Sequence, residues 1–181
     1  MEYLVVSLFA KLEDINSDNV RLKKLQETLS LFKCEKNRDE QNFIRNKAID
    51  FELHNKARTY LIISNECIVA YFTIAFKSID LVEMSQTEKK KITEGNKLVS
   101  HYSAFLIGHL AKDDGVHERM MSIILKEALA VIYNAQRYVG GRLVYLDCKD
   151  EPKLIKMYQD EGFKYFKTNS NDSLKKFYKK I

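Results

Sequence analysis

The sequence predicts one α/β domain over residues 1–181, with a mixed central β-sheet and helices on both faces. Three observations lead there. The length of 181 residues matches a domain of ordinary size. Residues 59–76 carry the apolar pattern of a hairpin. A strand at 104–111, a helix at 118–138 and a strand at 142–148 make a βαβ crossover, whose two strands pair in parallel. The remaining pairings read as antiparallel.

The elements follow in order. Residues 3–9, Tyr-Leu-Val-Val-Ser-Leu-Phe, read as the first strand. Asp18 or Asn19 caps a helix through about Phe32, with Val20, Leu22, Leu25 and Leu29 near one face. After the polar break from Cys34 to Arg38, a second helix spans about Asp39 to Asn55 and buries Phe43, Ile44, Ala48 and Phe51. Thr59–Ser64 and Cys67–Phe76 are rich in β-branched and aromatic residues. Asn65-Glu66 turns between them, although Glu is not the preferred second residue of such a turn. Residues 79–100 are polar, with Lys89-Lys90-Lys91, and read as a loop with room for a short helix.

Phe105 to Ala111 is mostly apolar, as suits a central strand. Lys112 to Glu118 is a charged turn. The following helix runs to about Tyr138, with Met121, Ile124, Leu125, Ala128, Ile132 and Ala135 at helical spacing, and Gly140-Gly141 ends it. Arg142–Cys148 is a strand. Pro152 opens a helix through Glu161, closed by Gly162. Phe163–Lys167 and Leu174–Ile181 are strands around a turn at Asn169–Asp172.

Composition narrows the class. The chain is 45% hydrophobic, with one proline and six glycines, which excludes a linker-rich or disordered protein. No apolar run approaches the ~18–20 residues of a membrane span. The opening Met1-Glu-Tyr-Leu-Val-Val lacks the basic start of a secretion signal. Three cysteines, Cys34, Cys67 and Cys148, show no paired spacing, so neither a disulfide framework nor a metal site is expected. A cytoplasmic location follows as the expectation. Residues 163–181 hold six lysines and one aspartate and carry the whole net charge of +5; a uniformly basic nucleic-acid coat is therefore excluded.

The stretch Leu143-Val-Tyr-Leu-Asp-Cys-Lys-Asp-Glu-Pro-Lys-Leu-Ile-Lys-Met-Tyr-Gln-Asp-Glu-Gly-Phe resembles the GNAT N-acetyltransferases. Members of that family place a Phe-Tyr pair on a short helix, with Gly-Phe starting five residues after the Phe. Met157-Tyr158 and Gly162-Phe163 fit, with Met in place of Phe. The element order resembles the family along nearly the whole chain. Phe32-Lys-Cys34, Arg58-Thr59-Tyr60 and the strand Ala70-Tyr-Phe-Thr-Ile-Ala resemble the branch of bacterial toxin-type acetyltransferases.

The resemblance implies transfer of an acetyl group from acetyl-CoA to a primary amine by direct attack. It makes Tyr158 the general acid that protonates the departing CoA thiolate, a role a placed hydroxyl can fill. The plain alternative is that Tyr158 is a core aromatic beside Leu154 and Ile155. The resemblance also implies that backbone near Leu110, Ala111 and Lys112 holds the pantetheine arm as an added strand. Phosphates would lie at the loop opening the long helix.

That loop departs from the family's Arg/Gln-x-x-Gly-x-Gly/Ala. Here it reads Val116-His117-Glu118-Arg119-Met120-Met121, with Arg119 and Met121 at the glycine positions, and Glu151 stands where the family has asparagine before the tyrosine. Two readings stay open. In one, Gly115 supplies the turn, Lys112 or Arg119 supplies charge, and the helix N-terminus binds phosphate. In the other, the cofactor loop is lost and the chain is a binding module on the same scaffold.

Candidate bases are sparse. His109 sits on the central strand with Ile107 and Phe105 on the same alternation, as a hydrogen-bonded interior histidine does. His101, Glu83 and Glu118 are weaker. Cys148 lacks a companion histidine and reads as structural. Lys175, Lys176, Lys179 and Lys180 read either as a solvated edge strand or as an RNA contact. RNA contact follows from the toxin branch, which acetylates aminoacyl-tRNA. No sequence feature assigns an oligomeric state.

Overall fold

The computed structural model describes residues 2–82, 84–95, 98–166 and 174–181. Its seven strands are β1 (Leu4–Ser7), β2 (Arg58–Ser64), β3 (Cys67–Asp80), β4 (His101–Lys112), β5 (Leu143–Lys149), β6 (Lys164–Phe166) and β7 (Leu174–Lys180). They form one sheet in the order β1-β2-β3-β4-β5-β7-β6. β4 and β5 pair in parallel, while β1–β2, β2–β3, β5–β7 and β6–β7 are antiparallel. This is the mixed sheet that the βαβ unit predicts. Residues cluster into two units, Met1–Ala75 with His109–Ala130 and Phe76–Gly108 with Val131–Ile181.

In the first unit, β1 is shorter than the expected 3–9. Ser7 ends it and caps α1 (Leu8–Ile15), its hydroxyl accepting from the Ala10 N–H at 3.4 Å. The apolar run Leu8-Phe-Ala thus begins a helix. Asp18 caps α2 (Asn19–Ser30), accepting from the N–H groups of Val20 and Arg21. Leu29 is buried, but Val20, expected on the same face, is 79% exposed. The expected 39–55 helix is built of α3 (Arg38–Asn42), a π-helical turn (Phe43–Lys47) and α4 (Ala48–Leu53). The wider turn lets the adjacent residues Phe43 and Ile44 both reach the core. That core joins Leu8, Leu29, Phe32, Ile44, Leu61 and Tyr71.

Between β2 and β3, Asn65 and Glu66 have φ of 47° and 63°, the two left-handed residues of a tight hairpin turn. Below it, Glu52 of α4 is buried and accepts from Arg58 Nη1 at 3.0 Å and from the Thr59 N–H. Burial pushes its carboxyl up, against these lowering contacts.

The second unit has its own core of Ile79, Leu81, Ile92, Ala104, Tyr145, Phe166 and Tyr178. Within 79–100 the short helix forms as α5 (Gln86–Ile92), started by a reciprocal Ser85–Glu88 cap. Gly141 has φ of 101°, and a Cβ there would lie 2.9 Å from the Phe105 ring, so only glycine fits. β7 is not an edge strand: it pairs with β5 on one side and β6 on the other. The turn expected at Asn169–Asp172 lies outside the described residues, as do Glu83 and Lys167.

Candidate functional site

The expected donor-binding segment lies in the first unit. Leu110, Ala111 and Lys112 finish β4, with Ala111 buried and its neighbours half-buried. The chain then stays non-helical through Met120, because α6 (Met121–Val139) begins three residues later than the expected Glu118. Met120 is buried and its carbonyl accepts from the Ile124 N–H at 2.9 Å. No acidic side chain lies in the first turn of α6, so the positive end of its dipole is not offset there.

Asp113 and Asp114 organise the start of this loop. Asp113 Oδ2 accepts from the Lys33 N–H at 2.6 Å, and Asp114 Oδ2 accepts from the Glu35 N–H at 2.7 Å. Asp113 also holds the N–H groups of Gly115, through Oδ1 at 2.8 Å, and of Val116, through its carbonyl at 3.1 Å. The Lys112 ammonium donates to the Val116 carbonyl. Gly115 therefore serves an internal turn, where an added Cβ would press on Asp113 Oδ1 at 3.0 Å. His117, Glu118 and Arg119 are exposed, and Met121 is half-buried. Arg119 and the start of α6 are thus more open than the Gly115 turn, whose N–H groups are internally bonded.

The second unit holds Tyr158, on α7 (Pro152–Asp160). It is 5% exposed, and its ring lies 6.0 Å from Phe163 and 6.2 Å from Phe177. Glu151 precedes α7 and makes no side-chain cap. The parallel register runs from Phe105↔Val144 to Ile107↔Leu146, while β4 continues to Lys112 and β5 to Lys149.

A second constellation in the first unit is absent from the sequence pattern. His109 Nδ1 lies 2.9 Å from Glu40 Oε2, and the Tyr71 hydroxyl lies 2.8 Å from that same oxygen and 2.7 Å from the Glu40 carbonyl. Phe43 stacks on the imidazole at 3.8 Å between centroids. The His109 backbone N–H donates to Thr73 Oγ1 at 2.9 Å. Burial, then the Glu40 charge, pushes the Tyr71 phenol far up, so it stays a donor. A histidine that the sequence shows as isolated is one end of a three-residue chain. Glu40 sits 69 positions from His109, and no spacing rule joins them.

The other candidates separate. Burial pushes the Cys148 thiol up to about 11, which removes thiolate chemistry near neutral pH. His101 is exposed and contacts Ser100 Oγ at 3.0 Å. Lys175 pairs with Asp150 at 2.6 Å and Lys176 with Asp147 at 2.7 Å, while Lys179 donates to the Glu161 carbonyl at 2.8 Å. Among the described residues, no cluster of three or more His, Cys, Asp or Glu could hold a metal ion, and no helix is long and apolar enough to cross a membrane.

No protein-family model matches the chain, and no curated protein matches its sequence. Solved structures do match in fold. AtaT complexed with acetyl-methionyl-tRNAfMet is 15% identical with a TM-score of 0.71, covering 99% of this chain and 95% of that one. A tyrosine-to-phenylalanine mutant of KacT is 14% identical with a TM-score of 0.72, covering 99% and 95%. AtaTR bound with AcCoA is 14% identical with a TM-score of 0.68, covering 99% and 93%. The chain thus has, over 99% of its length, the fold of AtaT and KacT.

Proposed function

We propose that the protein transfers the acetyl group of acetyl-CoA to a primary amine, and that the amine belongs to an aminoacyl-tRNA. The observation that carries this reading is the fold, shared over 99% of the chain with AtaT complexed with acetyl-methionyl-tRNAfMet. Acetyl-CoA is the acyl donor and supplies a thioester whose thiolate leaves. Leu110, Ala111 and Lys112 offer strand backbone to its pantetheine arm, a role supported by the continuation of β4 beyond Ile107. Val116, His117, Glu118, Arg119, Met120 and Met121 make the phosphate segment, with Arg119 and the first turn of α6 carrying the charge. Gly115 shapes its entry and Glu151 completes the cofactor set before α7. Tyr158 is the general acid for the thiolate.

Loss of catalysis on an intact scaffold is the second reading, favoured by the Asp113-held N–H groups of Gly115 and Val116. Calorimetry with acetyl-CoA separates the two. The proposal expects binding, and expects Tyr158→Phe to lower turnover by about 10²-fold with little change in affinity. Absence of binding at millimolar ligand would refute it, and equal losses in turnover and affinity would remove Tyr158 from the acid role.

A further inference from the structure

We propose that His109 is the general base of the reaction, oriented by Glu40, which Tyr71 holds in turn; the inference rests on the acetyl-transfer reading above. An ionised carboxylate only accepts hydrogen bonds. In the neutral imidazole, the Glu40 Oε2 contact at 2.9 Å puts the proton on Nδ1 and leaves Nε2 its lone pair. Two contacts lock the ring: Phe43 sets its plane and Glu40 holds Nδ1, while the Thr73 hydroxyl anchors the backbone N–H of His109. Nε2 is the one ring nitrogen left to act. The His109 side chain is 27% exposed and that of Glu40 16%, so the ring is reachable while its partner is mostly shielded. A base oriented by a third group is a recurrent catalytic arrangement.

The chemistry needs such a group. An α-amine titrates near ~7.7–8.0, so near neutral pH most of the acceptor is ammonium and cannot attack. His109 Nε2 takes the ammonium proton, and the neutral nitrogen then bonds to the thioester carbonyl carbon. The C–S bond breaks, the nitrogen sheds its second proton to water, and Tyr158, in the reading above, protonates the leaving thiolate and regains its proton from water. The Glu40 carboxylate stabilises the imidazolium, which returns its proton to water. His109 directly precedes Leu110, Ala111 and Lys112, the strand residues assigned to the acyl donor. The titratable groups around the imidazole are Glu40 of α3 and Tyr71 of β3, with Cys34 bordering both.

The test is the pH dependence of kcat/KM for His109→Gln, Glu40→Gln and Tyr71→Phe, assayed with acetyl-CoA and aminoacyl-tRNA. Without its base, His109→Gln works only on amine that is already neutral. Its deficit should be about 10²-fold or more near pH 6 and shrink as pH rises past the amine's own titration. Glu40→Gln should show the same shrinking deficit at smaller size, Tyr71→Phe smaller again, and added imidazole should partly rescue His109→Gln. A deficit equal at every pH, or none, overturns the base role while wild-type turnover upholds acetyl transfer. Wild-type protein without turnover overturns both. If His109→Gln does not give the wild-type circular dichroism spectrum, Glu40→Gln decides by the same criterion.

Discussion

Glu66 holds a left-handed backbone, φ 63°, at the second position of the β2–β3 turn, where a side chain costs about 1–2 kcal/mol. Glu66→Gly should therefore raise stability by about 1 kcal/mol, read as a higher urea midpoint at unchanged slope; a lower midpoint would mean that the Glu66 side chain makes a compensating contact. The residues also mark the limit of a linear reading. Tyr158 is a candidate in the sequence because its neighbours Met157, Gly162 and Phe163 form a local pattern. The Tyr71–Glu40–His109 chain joins β3, α3 and β4 across separations of 31 and 69 residues, and nothing local in the sequence announces it.

At the scale of elements, legibility depended on whether the deciding contact was local. The hairpin at 58–80 and the capped helix α2 were readable because turn and cap chemistry lie beside them. The run after Ser7 was ambiguous, since a short apolar stretch suits a strand or a helix. A single hydroxyl accepting from Ala10 decides it. The π turn at Phe43–Lys47 was invisible to a 3.6-residue period, which it interrupts. The lysine-rich last strand suits an edge, yet it lies inside the sheet beside β5, where Asp147 faces Lys176. Lys175 and Lys176 are already matched by carboxylates. Replacing both with Gln should leave the salt slope of tRNA binding within experimental error. A slope shallower by about 1.5 would instead make both lysines phosphate contacts.

Over the whole molecule, element order carried the fold: one βαβ unit and antiparallel neighbours specify a mixed sheet, and the match to AtaT extends over 99% of the chain at 15% identity. The proposed donor-binding segment is less legible, because Arg119 and Met121 stand at the expected glycines and Asp113 ties down the turn at Gly115. What replaces a glycine cradle is a three-dimensional question that the string of residues does not answer. Acetyl transfer to charged tRNA is tested directly by one assay. Radiolabelled acetyl-CoA is incubated with aminoacyl-tRNA and the purified protein, and label is counted in the tRNA fraction. Acetyl transfer predicts label that mild base releases as N-acetyl amino acid, with Tyr158→Phe lowering the rate by about 10²-fold. Unlabelled tRNA, with acetyl-CoA left intact, would contradict it.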